Sequence, residues 1–199
     1  MKRWDIRPGR MRQEICYYSS CRNFRQEEFA GQLTELIETE MCLTGKRDMV
    51  FLCIGTDRST GDSLGPLIGY KLKQMQLPGA AVFGTLERPV HAMNLEQYLE
   101  VLRVCYANAL IVAVDASVGS REHVGFVTLG RGALKPGLGV RKELKAVGDI
   151  FITGIVGSCT SCDPLYLQSV RLSVVMQLAD CISGGIACVE KLWDRAALL

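Results

Sequence analysis

MVFLCIGTDRSTGDSLGPLIGY, residues Met49 to Tyr70, is the stretch whose reading decides the fold. Met49 to Ile54 is an apolar run with no charge in it, which reads as a strand buried on both faces of a parallel sheet. Gly55 to Gly61 is a polar turn, and a helix follows from about Ser63 to Gln76, ending at Pro78-Gly79. Strand, polar turn and helix put the turn at the carboxyl end of a parallel strand, where open α/β sheets hold their ligands. The turn is not a phosphate loop, because it lacks the Gly-x4-Gly-Lys-Ser/Thr spacing and its lysine. Nor do Gly55, Gly61 and Gly65 fall at the spacing of a dinucleotide fingerprint. What the turn offers is acids and hydroxyls: Asp57 and Asp62, with Thr56, Ser59 and Thr60.

Outward from this stretch the βα order repeats. Upstream, Phe29, Leu33, Leu36, Ile37 and Met41 line one face of a helix over Phe24 to Leu43, closed by Gly45. Downstream, Ala80 to Gly84 reads as a short strand, Asn94 as the N-cap of a helix ending near Asn108, and Ala109 to Val114 as a second uninterrupted apolar strand. That strand finishes in Asp115-Ala116-Ser117, the second acidic strand end. Strands over Val124 to Leu129 and Phe151 to Val156 follow, then a long helix from Pro164 to Cys181, interrupted by Gly184-Gly185 before a short helix from Ile186 to Leu198. A doubly wound, mostly parallel sheet is expected, with both acidic ends on one edge.

The 199 residues fit one domain, residues 24 to 199, preceded by a basic arm over residues 1 to 23. Residues 1 to 25 hold seven Lys/Arg against Asp5 and Glu14, so +5 of charge sits there and −3 in the rest of a chain whose net charge is +2. The arm reads as a solvated tail, and the small net charge asks for no nucleic acid. No apolar signal region is present, and the longest apolar candidate for a span, Leu172 to Val189, is interrupted by Asp180, so no membrane partner is expected and the chain reads as soluble and intracellular. Nine cysteines without an export signal argue against a disulfide framework. Cys42, Cys53, Cys105, Cys181 and Cys188 lie on apolar faces and read as buried small hydrophobes. Cys159-x-x-Cys162 is a single pair, too few ligands for a zinc site.

The segments CIGTDRSTGDSLGPLIG, GTLERPVHAMNLEQYL, VDASVGS, KPGLGVRKELKAVGDIFITGIV and LQSVRLSVVMQLAD, spread over roughly Met49 to Ile182, resemble the spore protein YyaC family of endospore-forming bacteria. The resemblance implies the fold of germination protease and of hydrogenase maturation endopeptidases, a three-layer αβα sandwich. Thr60-Gly61-Asp62-Ser63-Leu64-Gly65-Pro66 is similar to the Thr-Pro-Asp-Ala-Leu-Gly-Pro of germination protease, which puts Asp62 at its first catalytic aspartate, and Asp115-Ala116 matches the strand end of its second. In the hydrogenase enzymes these positions hold a Glu and an Asp that bind nickel with a histidine from a later loop. Here the corresponding loop, Gly157 to Cys162, has no histidine.

Two neighbouring carboxylates can share one proton, so that one acts as base towards water while the other protonates the leaving group. The helix dipole favours charge on Asp62 and leaves Asp115 as the proton holder. Spacing alone leaves Asp62 open as a helix cap. Thr56, Asp57, Ser59 and His91 are expected to shape the substrate pocket, and His123 to be an exposed loop residue. The first expectation is therefore a peptidase-like hydrolase acting on a protein or peptide substrate in the cytoplasm of the mother cell or forespore, with no cofactor. A catalytically silent spore binding protein is the alternative, and a maturation endopeptidase with a divalent metal at Asp62 and Asp115 is a third. A homo-oligomer is allowed by the sequence but not required by it.

Overall fold

Four helices and six strands alternate along the described chain: β1 (Cys16–Ser19), α1 (Gln26–Thr44), β2 (Asp48–Cys53), α2 (Leu64–Met75), β3 (Ala80–Phe83), α3 (Leu95–Cys105), β4 (Ala109–Gly119), β5 (Phe126–Arg131), β6 (Ile150–Ser158) and α4 (Leu172–Ala196). The computed structural model describes residues 15–20, 24–136, 144–158 and 164–196. All six strands belong to one sheet in the order β1-β5-β6-β4-β2-β3. β3, β2, β4 and β6 pair in parallel, whereas β5 runs antiparallel to both β6 and β1. The result is the expected αβα sandwich on a mostly parallel sheet.

The apolar runs form the middle strands because they are covered twice. Leu110, Val112 and Val114 of β4 join Phe29, Leu33, Ile68, Leu72, Leu178 and Ile182 in the core under α1, α2 and α4. Ala109 and Ala113 of the same strand face the other way, into a core of Val50, Leu52, Leu95, Leu102, Leu134, Val147 and Phe151 beside α3. At about 1.5–3 kcal/mol per fully buried aliphatic or aromatic side chain, these two layers dominate the stability.

Several boundaries differ from the sequence reading, each for a physical reason. Cys16–Ser19, inside the expected arm, forms an edge strand on β5. Four residues in which Tyr17 is half exposed carry too little apolar signal to announce it. β4 runs on to Gly119, so Asp115 lies within the strand and not at its end, because β6 pairs with it as far as Ser158. Gly184-Gly185 do not interrupt α4. A Cβ on Gly184 would lie 2.4 Å from Gln26 Nε2 and one on Gly185 2.4 Å from Phe29 Cδ1, so this pair is where α1 seats against α4. Residues 164–169 are a separate 3-10 turn before that helix.

Cys53 is buried as expected and Cys181 and Cys188 are half-buried, but Cys42 and Cys105 are exposed at the rims of α1 and α3. Leu172–Val189 has the length and hydropathy, 1.7, of a membrane span. Its Val175, Leu178, Ala179, Ile182, Ile186 and Val189 are buried in the core, and Asp180 pairs with Lys71 of α2 at 2.8 Å. Residues 1–14, residues 137–143, Cys159 and Cys162 lie outside the described residues.

Candidate functional site

The site is built where β2 and β4, neighbours in the sheet, reach the carboxyl edge. β2 is prolonged by Ile54, whose amide donates to the Val114 carbonyl at 2.7 Å and which bridges Val90 on its other side. The chain then reverses at Gly55, φ +143°, a left-handed backbone that disfavours any side chain. The Asp62 carbonyl oxygen sits 2.0 Å from where a Cβ on Gly55 would be. In return the Thr56 amide donates to that carbonyl at 3.1 Å. The turn is thereby closed on itself, and it presents Asp62 from a one-turn 3-10 segment, Gly61–Ser63, that precedes α2. Asp62 caps no helix: Ser63 holds the N-cap position of α2, and its hydroxyl donates back to the Thr60 carbonyl at 2.7 Å.

Asp115 projects from the neighbouring strand and is only 7% exposed. Its Oδ1 accepts from the Ala116 amide at 2.7 Å. Burial is the main cause that pushes its carboxyl well above the ordinary carboxylate range, and the negative charge of Asp62 adds to it, while the Ala116 amide opposes both. Asp62 is also raised by burial, but the Thr56 amide and the charge of His91 pull it back. Two acids thus act on one another electrostatically, with the charge of His91 felt by Asp62 alone, and their surroundings drive them apart: Asp115 holds a proton more firmly than Asp62.

His91 follows Val90, whose carbonyl accepts from the Gly55 amide at 2.8 Å, so the second loop is stitched to the first. The His91 Nδ1 accepts from the Met93 amide at 3.2 Å. Asn94, expected as a helix cap, instead reaches backwards. Its Oδ1 accepts from the His91 amide at 2.8 Å and its Nδ2 donates to the Pro89 carbonyl at 3.0 Å, bracing the loop that carries His91. The structure therefore gathers Asp62, Asp115, Thr56 and His91. Asp57 is exposed on the turn and makes no hydrogen bond or ion pair among the described residues. Ser59 is half-buried and serves the turn through its carbonyl, which accepts from the Ser63 amide at 3.0 Å. His123, expected as an exposed loop residue, is half-buried, its ring centroid 5.4 Å from those of both Tyr17 and Phe126, with Nδ1 2.9 Å from the Ser120 hydroxyl.

Sequence reading missed a row of hydroxyls beside Asp115. Thr153 of β6 is its register partner, and its Oγ1 lies 3.0 Å from Ser117 Oγ and 2.7 Å from Thr128 Oγ1. Residues 115 and 117 share a face of β4, so the row extends the polar surface away from the carboxyl. Lone hydroxyls in the apolar runs FVTLG and FITG were the signal that could have found it.

The relationship to nickel-binding enzymes asks whether these residues fit a metal. Among the described residues no group of three or more His, Cys, Asp or Glu side chains comes together to hold one. The described residues do not fit a resident metal, and no step below runs through one.

Comparison with known proteins agrees with this architecture. The family described as "Protein of unknown function (DUF1256)" matches residues 21–185. The uncharacterized protein YyaC of Bacillus subtilis is 42% identical over 162 residues, covering 81% of this chain and 79% of that protein. The crystal structure of a NiFe hydrogenase maturation protease, HycI, from Thermococcus kodakarensis superposes with a TM-score of 0.53 at 18% identity, covering 80% of this chain and 99% of that one. At that identity the likeness establishes the shared fold.

Proposed function

We propose that this chain, which belongs to the DUF1256 family, is a peptidase-like hydrolase in which Asp62 and Asp115 activate water against an amide bond. The observation that carries the reading is the split between the two acids. Asp115, buried and next to the charge of Asp62, holds its proton the more firmly, while Asp62, also raised by burial, is pulled back towards the anion by the Thr56 amide and by His91. Asp62 takes a proton from water as the water oxygen bonds to the carbonyl carbon. Asp115 gives its proton to the amide nitrogen as the C–N bond breaks, and the proton gained by Asp62 resets the pair. His91, whose charge acts on Asp62, would orient Asp62 or the substrate carbonyl. The protease-like fold supports a protein or peptide substrate, and the likeness to spore proteins supports a role in the cytoplasm of a sporulating cell.

The test is to incubate the protein with a diverse peptide library and read new termini by mass spectrometry. Wild type cuts, and Asp62→Asn and Asp115→Asn do not. Cleavage retained by both variants overturns the reading. The low exposure of Asp115 favours a second reading, in which the same crevice binds a peptide without cutting it. Wild-type protein that holds a peptide and leaves it intact supports that one.

A further inference from the structure

A groove of 430 Å³, none of whose lining belongs to the dyad, lies between the exposed side of α2 and the turn after β3, lined by Tyr70, Lys73, Gln74, Thr85, Glu87 and Arg88. Its floor is close backbone contact: a Cβ on Gly69 would meet the Gly84 carbonyl oxygen at 2.0 Å. The turn is braced by its own polar groups. The Thr85 amide donates to the Arg88 carbonyl at 3.2 Å, and the Arg88 amide donates to Thr85 Oγ1 at 3.3 Å.

The chemistry of the lining is one-sided. Glu87, the only acid, is engaged within the turn, where its own amide and the Thr85 hydroxyl bind its carboxylate and Lys73 faces it. Tyr70 accepts from Gln74 Nε2 at 2.7 Å, so its own O–H proton remains to be donated outward. The Arg88 guanidinium is exposed and has no ion-pair partner among the described residues. A hydroxyl donor, an ammonium and a free guanidinium thus surround a hollow whose one carboxylate is already occupied. Such a set matches a carboxylate, which a guanidinium binds through two parallel N–H groups.

The groove is also wired to the dyad. From Arg88 the chain passes through Pro89 and Val90, whose carbonyl holds the Gly55 amide, to His91 beside Asp62. We infer that this groove is a subsite for a carboxylate-bearing residue of the peptide whose amide bond is held at Asp62 and Asp115. The word substrate here rests on the hydrolase reading, but the contact itself does not.

The test reads binding alone, so it fails independently of cleavage. Isotope-labelled protein is titrated by NMR with acetyl-Gly-Glu-Gly-Gly-Gly-Gly-amide, with the same peptide carrying Gln for Glu, and with free glutarate. The Glu peptide should give saturable shifts in the amides of residues 70–74 and 85–88. Lys73→Ala with Arg88→Ala should weaken that binding about tenfold, with the amide spectrum otherwise that of the wild type. The Gln peptide should leave these residues unmoved. Equal response to the Gln peptide, equal binding by the double variant, or no saturable shift there overturns the proposal. Glutarate binding as tightly as the peptide overturns the peptide assignment in favour of a small dicarboxylate.

Discussion

The two edges of the sheet use acids in opposite ways. At the amino edge, Asp149 stands before β6 with one oxygen 2.6 Å from Lys46 Nζ and 2.8 Å from the Ile111 amide, so it ties the entries to β2, β4 and β6 together. At the carboxyl edge, Asp115 has a single backbone donor and another carboxylate for a neighbour. The first acid has a lysine and two strands to hold; the second is surrounded by burial and like charge, which raise its free energy as an anion. An acid that stabilises and an acid that is poised for chemistry are distinguished here by burial and by partners together.

The contrast breaks most visibly in catalysis. Asp62→Asn and Asp115→Asn should each lower kcat/KM for peptide cleavage by about 10²–10⁴-fold, whereas Asp149→Ala should leave it within about threefold. Stability should respond the other way. Asp149→Ala strands the Ile111 amide and the Lys46 ammonium and should cost about 1–3 kcal/mol, a fall in Tm of roughly 3–10 °C by calorimetry.

Asp115→Asn sharpens the comparison through its sign. The folded protein holds the Asp115 proton more tightly than the unfolded chain does, so stability falls as pH rises from the ordinary Asp value near 3.8 to the raised one. An Asn keeps an oxygen for the Ala116 amide and escapes that loss. The variant should therefore be more stable than wild type at neutral pH by about 1–2 kcal/mol, with the advantage vanishing below pH 4, as chemical denaturation at the two pH values would read. Equal stability at pH 7 would remove the strain from the account. The smallest effect is expected from Asn94→Ala, which frees the His91 amide and should lower kcat/KM by about tenfold or less while Tm moves by no more than a few degrees.

How far the sequence reached follows from what each signal measures. β2 and β4 were legible because a strand covered on both faces must be apolar throughout, Asp115 because a charge directly after such a run stands out, and Asp62 through the similarity of residues 60–66 to germination protease. The edge strand at Cys16–Ser19 was not, since it is held by backbone pairing to β5 that side-chain pattern does not encode. Gly184-Gly185 misled because glycine lowers helix propensity locally, while the gain from seating Gln26 and Phe29 of α1 against α4 is a tertiary matter. Asn94 sits at the N-cap position as expected, yet its amide found partners at His91 and Pro89, which only the folded loop brings within reach. The separation of the dyad's proton affinities was half legible: a helix dipole suggested its direction, but burial, its largest cause, depends on the whole sheet.

β4 continues four residues beyond Asp115, and its ladder with β6 is in register on both sides of that position, from Val112 to Ser117. Asp62, by contrast, stands on a single 3-10 turn closed by a few hydrogen bonds. The crevice therefore has one fixed jaw and one adjustable jaw. Whatever accommodation a ligand demands falls on the Gly55–Ser63 turn, and amide exchange there should slow on ligand binding while that of β4 stays as it was.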